Sequence, residues 1–268
     1  MIIPRISLVY HLLSLADTRP YTVAAEPDDN QRYLNRKEIP NQTADGADWI
    51  IVFIHFYGKI QPMSYLGRSP IFWFVILLLF IAMVTFLGPE ERSLGANVRI
   101  VYLHGAWVLA AEAAFIAAAI VGLTGLLIRR LTFHRWSGAF GRTGIFFWVT
   151  YLPLSLWAME SNWNGLFLSE PRFRPALVFA VTGLLLQVGL WLINTPWLTS
   201  AANILFIVVL RFVFSQAKYI MHPPPSPIFS SGLWYIIAFF IVLNLLTCLA
   251  AYAMTRSWLA LNFRTYNL

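Results

Sequence analysis

The sequence predicts an all-α polytopic membrane protein, a six-helix transmembrane bundle with both termini in the cytoplasm. Of its 268 residues, 59% are apolar and only 12% are charged, whereas soluble proteins carry roughly 25% charged residues. The chain also contains six apolar runs, each near the ~20 residues that a helix needs to cross a bilayer. The basic residues behind the net charge of +7 are not clustered on any soluble segment, which argues against nucleic acid as a partner.

Residues 1–62 differ in composition from the rest of the chain. They hold seven of the twelve acidic residues, and the stretch from Ala25 to Asp48 is polar, aperiodic and interrupted by prolines. Such a composition is typical of disorder, and the apolar run "WIIVFIHFYGKI" that follows is too short to cross a membrane. Because Met63 opens a sequence that could itself begin a membrane protein, we predict that residues 1–62 are a disordered or dispensable extension and that residues 63–268 form the membrane domain. His11 and His55 fall in this extension, and we expect no function for them.

The predicted spans cover about 70–88, 100–128, 143–160, 175–194, 197–215 and 232–254. The loop after the second span, residues 129–142, contains four arginines and no acid. Basic loops stay in the cytoplasm, so this loop and both ends of the six-span domain are predicted to be cytoplasmic. His134 lies among these arginines, and we expect it on a solvated face. A plasma membrane location, the inner membrane in a bacterium with two, follows from this reading.

Enzymatic chemistry has no support in the sequence. The single cysteine, Cys248, lies inside an apolar run, which excludes an intrachain disulfide, a redox pair and a thiolate metal site. The chain also lacks a nucleotide-binding loop, a His-Glu-x-x-His segment and a nucleophile motif. We therefore predict that the protein is not an enzyme.

Two histidines are predicted to lie on the outer side, opposite the basic loop. His104 begins the second span in "VRIVYLHGAW", and His222 lies in "KYIMHPPPS" between the fifth and sixth spans. Either histidine alone would most simply be a capping or interfacial residue. As a pair on separate segments flanked by aromatic residues, they suit axial ligation of a heme iron. Trp163 and Phe167, with Trp157 nearby, would offer an apolar ledge to the porphyrin face.

The charged residues near this outer surface suggest two further roles. Four arginines could pair with heme propionates, namely Arg99, Arg172, Arg174 and Arg211. Glu112 lies inside the second span, where an acid is a functional candidate by default, although an interhelical hydrogen bond explains it equally well. The three prolines at positions 223–225 restrict the backbone after His222 and would hold its ring in place at little entropic cost.

Two segments resemble a known family. "RIVYLHGAW" is similar to the Arg-Ile-x-Tyr-x-His-Val-Pro-x-Ala-Trp segment of the CcmC-type heme-handling proteins of the cytochrome c assembly family. "FSQAKYIMHPPPS" resembles that family's Phe-Ser-x-x-Trp-Trp-Asn-Thr-Leu-His-Gln-Pro-x-Ser loop. The resemblance covers roughly residues 70–254 and includes the six spans and the basic second loop. It implies that His104 and His222 are the axial ligands of heme b, bound stably or transiently, and that Arg99 and Arg172 lie beside it.

The chain departs from the family in its second outer loop. The family's Trp-Gly-x-Trp-Trp-x-Trp-Asp-x-Arg motif corresponds to "WNGLFLSEPR", in which Trp163 and Arg172 remain but Leu166, Phe167 and Ser169 replace tryptophans. The apolar ledge persists, since Leu and Phe also contribute about 1.5–3 kcal/mol each when they are covered. Indole N–H donors are lost.

Three functions remain open at this point. The resemblance implies a heme-handling protein of cytochrome c biogenesis, which would pass heme to a periplasmic or outer-face heme chaperone or synthetase. In that role it would act alone or beside ATP-driven transporter subunits. The altered loop favours a heme-free structural subunit of a respiratory or photosynthetic complex built on the same fold. A transporter component is the third reading, but it leaves the outer histidines unexplained.

Overall fold

The chain folds into six helices and no β-strand over residues 69–217 and 227–265, which are the residues that the computed structural model describes. The helices are α1 (Pro70–Phe86), α2 (Val98–Ile128), α3 (Leu131–Trp163), α4 (Phe173–Ile193), α5 (Pro196–Ser215) and α6 (Trp234–Thr265). Each predicted span falls on one of these helices, so the predicted all-α class is confirmed. The predicted extension, residues 1–62, and His222 with its three prolines lie outside the described residues.

Four of these helices are long and apolar enough to cross a membrane: α2, α4, α5 and the Trp234–Leu261 part of α6. α1 is apolar but has only 17 residues. α3 has 33 residues, but Trp, Tyr, Thr and Ser dilute its apolar part, and arginines lie near its start. The structure therefore describes a multi-pass membrane protein with four candidate spans among the described residues.

The connection between α2 and α3 is much shorter than the sequence suggested. Arg129 takes a left-handed conformation, with φ of 58°, that ends α2, and α3 begins two residues later at Leu131. Most of the segment 129–142, predicted as a solvated loop, is thus the first three turns of a helix. The prediction was wrong because arginines break the apolar pattern on only one side of this helix, while small residues such as Ser137 and Gly141 are buried on the other.

Small residues let α2 approach α3 and α5 closely. A Cβ atom on Gly144 would lie 2.4 Å from the ring of Phe115, so the ring packs directly on the α3 backbone. The Ser137 hydroxyl donates a hydrogen bond of 2.8 Å to the carbonyl of Ala118 across the same contact. Close backbone approach through small residues is the usual way in which helices associate in membranes, where no hydrophobic driving force acts between them.

The short helices are staggered along α3. Phe74, near the start of α1, packs edge-on against Phe146 and Phe147, with ring centroids 5.8 and 6.5 Å apart. Since Leu78 and Ile81 line a cleft with Thr150 and Leu154, α1 lies level with the C-terminal half of α3, although its backbone packs mainly against α6. α4 instead begins beside the middle of α3, because the indole of Trp148 donates a hydrogen bond to the carbonyl of Ala176. α4 and α5 therefore flank only the N-terminal half of α3.

Candidate functional site

The ends of α4 and α5 form a step beside the long helices. Phe214, in the last turn of α5, packs edge-on against Trp148 at 5.6 Å, and the first turn of α4 bonds to the same indole. α2 and α3 continue well beyond this level and stay side by side, because Asn97 donates a hydrogen bond of 2.8 Å to the carbonyl of Ser161. The space above the step, beside the N-terminal half of α2 and the C-terminal half of α3, is the candidate site.

The floor of this step is formed by aromatic rings. Trp148 contacts Tyr151 at 5.0 Å and Phe214 at 5.6 Å, while Phe179 of α4 contacts Phe214 at 6.2 Å. Trp148 and Tyr151 are buried. Trp148, Tyr151 and Phe179 are only 1%, 6% and 9% exposed, so these rings form a packed apolar layer beneath the step, and of the four only the half-buried Phe214 offers appreciable surface to a ligand.

His104 lies on α2, above this floor. It lies in the second turn of α2, is half-buried, and its ring lies 5.7 Å from the ring of Tyr151. The next residue, Gly105, is on the other side of the helix, where a Cβ would lie 3.3 Å from the ring of Phe240 in α6. His104 therefore faces α3 and the step rather than α6.

Three predicted site residues lie at the end of α3 and in the loop that connects it to α4. Trp163 and Phe167 pack edge-on, with ring centroids 5.9 Å apart, and Phe167 is exposed. Arg172 precedes α4, and its backbone N–H donates a hydrogen bond of 2.7 Å to the carboxylate of Glu170. A carboxylate at a helix N-terminus interacts favourably with the helix dipole, so Glu170 helps to fix the position of Arg172.

Arg99 does not join this group. Its Nε donates to the carbonyl of Gly88 at 2.9 Å, and its Nη2 forms an ion pair with Glu90 at 3.1 Å. The guanidinium also lies 5.9 Å from the ring centroid of Phe86. Arg99 thus holds the loop after α1 against α2, on the side of α2 that faces α1.

The same loop carries an internally bonded carboxylate. The hydroxyl and the backbone N–H of Ser93 both donate to Glu91. These hydrogen bonds, the one from the hydroxyl first, hold the pKa of Glu91 below its ordinary value. The loop after α1 is therefore tied together by its own charged groups, and its conformation does not depend on a ligand.

Arg211 is also engaged elsewhere. Its Nη1 donates to both carboxylate oxygens of Glu112, at 3.1 and 3.0 Å. Glu112 therefore forms an interhelical contact, which was one of the two roles expected of it, and the contact is an ion pair. Of the four arginines expected near the propionates, Arg172 is at the step and Arg174, the second residue of α4, is exposed.

His222 lies outside the described residues, but the residues on either side of its segment are placed. On one side, Phe214 packs on Trp148 at the floor of the step. On the other, Phe229 packs against Phe240 at 5.6 Å, and Phe240 adjoins Gly105. The two described flanks thus pack against helices beside His104, Phe214 on α3 and Phe229 on α6.

His134 contradicts the expectation of a solvated residue. It is only 9% exposed, and its Nδ1 shares a hydrogen bond of 2.7 Å with the hydroxyl of Ser200 in α5. Nearby, Asn203 donates to the carbonyl of Ser137 at 3.0 Å and accepts from Gln187 at 2.9 Å. His134 is buried because the α2–α3 connection is short, so that it lies in α3 and packs against α5 instead of lying in a loop.

Sequence reasoning missed the aromatic floor. Trp148, Tyr151 and Phe214 lie in apolar runs, where an aromatic residue is usually a core residue. They lie beneath a step only because α4 and α5 end at their level. Among the described residues, no three His, Cys, Asp or Glu side chains group as a protein-only metal centre would need.

Comparisons with known proteins do not identify the chain. It matches no model of a protein family, no curated protein and no solved structure.

Proposed function

We propose that this chain is a heme-handling protein of cytochrome c biogenesis in the plasma membrane. In this proposal it crosses the membrane six times with both termini in the cytoplasm. It holds heme b at the outer face between His104 and His222, and it passes the heme to an outer-face chaperone or synthetase.

The observation that carries the proposal is the position of His104 above the aromatic floor. A half-buried imidazole lies against the ring of Tyr151, above an apolar layer of buried aromatic rings. Both described flanks of the segment with the second histidine are anchored beside it. An apolar surface with imidazole donors on separate segments suits a planar apolar ring with one iron.

The residues of the chain have distinct roles in this proposal. His104 and His222 would hold the iron, and Trp163 and Phe167 would contact the porphyrin. Arg172, placed by Glu170 at the start of α4, would pair with a propionate. Heme, when bound, supplies the iron porphyrin that other proteins attach to an apocytochrome, and the chain supplies binding and orientation.

An absorbance spectrum of the purified protein tests this proposal. Expressed with ample heme, the wild-type protein should show a Soret band of the low-spin, bis-histidine type. His104→Ala and His222→Ala should each abolish it, and replacing Pro223, Pro224 and Pro225 by Ala should weaken heme retention without changing the coordination type.

His134→Gln is the matched control, since His134 lies at the opposite end of α3. It should keep the wild-type spectrum per mole of folded protein. A wild-type protein without a Soret band, or a His104→Ala protein with an unaltered one, would show the proposal to be wrong.

A heme-free structural subunit of a respiratory or photosynthetic complex is the second candidate. The observation in its favour is that Arg99 and Arg211, two of the arginines expected near the propionates, are already paired with Glu90 and Glu112. In this case the protein would copurify with a larger complex, and His104→Ala and His222→Ala would leave the spectrum of the preparation unchanged.

A further inference from the structure

We propose that α2 and α5 form an interface with a second copy of this chain, centred on the ion pair between Glu112 and Arg211. Glu112 lies two turns along α2 from His104 and about 80° around the helix from it, and the interface does not require bound heme. The inference starts from the ability of both side chains of the ion pair to form further hydrogen bonds.

The ion pair is open on one side. Only Nη1 of Arg211 contacts Glu112, and its Nε and Nη2 have no hydrogen-bond partner within residues 69–217 and 227–265. The Arg211 side chain is 59% exposed and that of Glu112 is 19% exposed. Both groups can therefore form further hydrogen bonds outward, Arg211 as a donor and Glu112 as an acceptor.

This open pair lies deep within the apolar part of the protein. Glu112 is at the middle of the 31-residue α2. Most exposed tryptophans, which favour the two membrane interfaces, occur beyond it in both directions: Trp157 and Trp234 toward one end, Trp191 and Trp197 toward the other, whereas Trp73 on α1 is exposed closer to its level. An exposed guanidinium at this depth would be costly in contact with lipid alone, and charged groups inside membranes almost always face protein or water.

The surroundings of the pair form an open apolar face. Leu109, Ile116 and Ile120 follow one another at helical spacing along α2 and are 42–61% exposed, and Val208 of α5 is 59% exposed beside them. In the described part of the chain, α5 makes no contact with α6, so nothing there covers α2 between them.

A second copy is the occupant that the charges favour. The face presents an acid and a base side by side, so a two-fold axis through it places Arg211 of each copy next to Glu112 of the other. Such an isologous contact is self-complementary, and it satisfies the free donors and acceptors of both pairs in one ring. A foreign helix would have to carry both charges at the same depth to do this.

Cysteine cross-linking in membranes tests the proposal with the full chain. In a Cys248→Ser background, Ile116→Cys should form a disulfide-linked dimer on mild oxidation. Leu184→Cys on α4 is the matched control, since it is exposed to a similar extent, 49% against 46% for Ile116, and should not cross-link. Glu112→Gln should reduce the dimer roughly threefold to fifteenfold, the range that interhelical polar contacts in membranes provide.

Two further variants separate loss of the interface from loss of the fold. Ile120→Trp changes a side chain that is 61% exposed, so it should block the dimer while the helix content stays the same. The double exchange Glu112→Arg with Arg211→Glu should restore the dimer that Glu112→Gln weakens. Equal cross-linking at Leu184, no cross-link at Ile116, or a product at Ile116 with the mass of a different protein would each overturn the proposal.

Discussion

At the scale of single residues, Gly144 and Phe115 set the distance between α2 and α3. A methyl group on Gly144 would lie 2.4–3.0 Å from three atoms of the Phe115 ring, and this rigid ring is buried and cannot turn aside. We expect Gly144→Ala to lower the free energy of unfolding by about 1–3 kcal/mol, the usual cost of overpacking a core. Thermal unfolding in detergent would measure the loss.

Gly189→Ala is the control for that substitution. Gly189 is also in a helix, but a Cβ there meets no atom within 4 Å, so this change should be neutral or stabilising because alanine favours helix. If both variants unfold at the wild-type temperature, the close approach of Phe115 to α3 is not present in the membrane protein.

At the scale of helices, the hydrogen bond between His134 and Ser200 joins the start of α3 to α5. It is buried and 2.7 Å long. A double-mutant cycle with His134→Ala and Ser200→Ala should give a coupling free energy of about 0.6 kcal/mol, with an upper range near 1.7 kcal/mol, as found for polar contacts between membrane helices. Unfolding of the four proteins in denaturant measures it, and a coupling of zero would place His134 in solvent.

At the scale of the whole molecule, the proposed topology places Arg135 and Leu166 on opposite sides of the membrane. Single cysteines at these positions, in a Cys248→Ser background, should react with an impermeant thiol reagent from opposite sides of intact cells or vesicles. Leu166 is exposed in the loop between α3 and α4 and should react from outside, whereas Arg135 should react only after permeabilisation. Labelling of both positions from one side contradicts six crossings.

The boundary of the membrane domain is a second prediction at this scale. Residues 1–62 carry most of the acidic residues, and their composition has no helical periodicity. A protein that begins at Met63 should therefore insert into membranes and keep the helix content and thermal stability expected for residues 63–268. A truncated protein that fails to insert would show that the extension is part of the folded domain.

The sequence by itself determined the helical class and the approximate position of every helix, because apolar runs of about 20 residues with so few charges have one stable solution in a bilayer. It also located His104 near the start of α2. The short α2–α3 connection and the burial of His134 could not be predicted, since a helix start with arginines on one side has the composition of a loop. Local composition reports which residues prefer water, but not which side of a helix another helix will cover.

Only the tertiary structure decided how the predicted site residues are grouped. The helix lengths predicted from the sequence did not indicate that α4 and α5 flank only half of α3. This stagger places Trp148 and Tyr151 beneath His104. The pairing of Arg99 with Glu90 and of Arg211 with Glu112 likewise depends on which helix faces meet. The physical reason is that hydrophobicity places segments in a membrane, whereas the contacts of small residues and single polar side chains set their register.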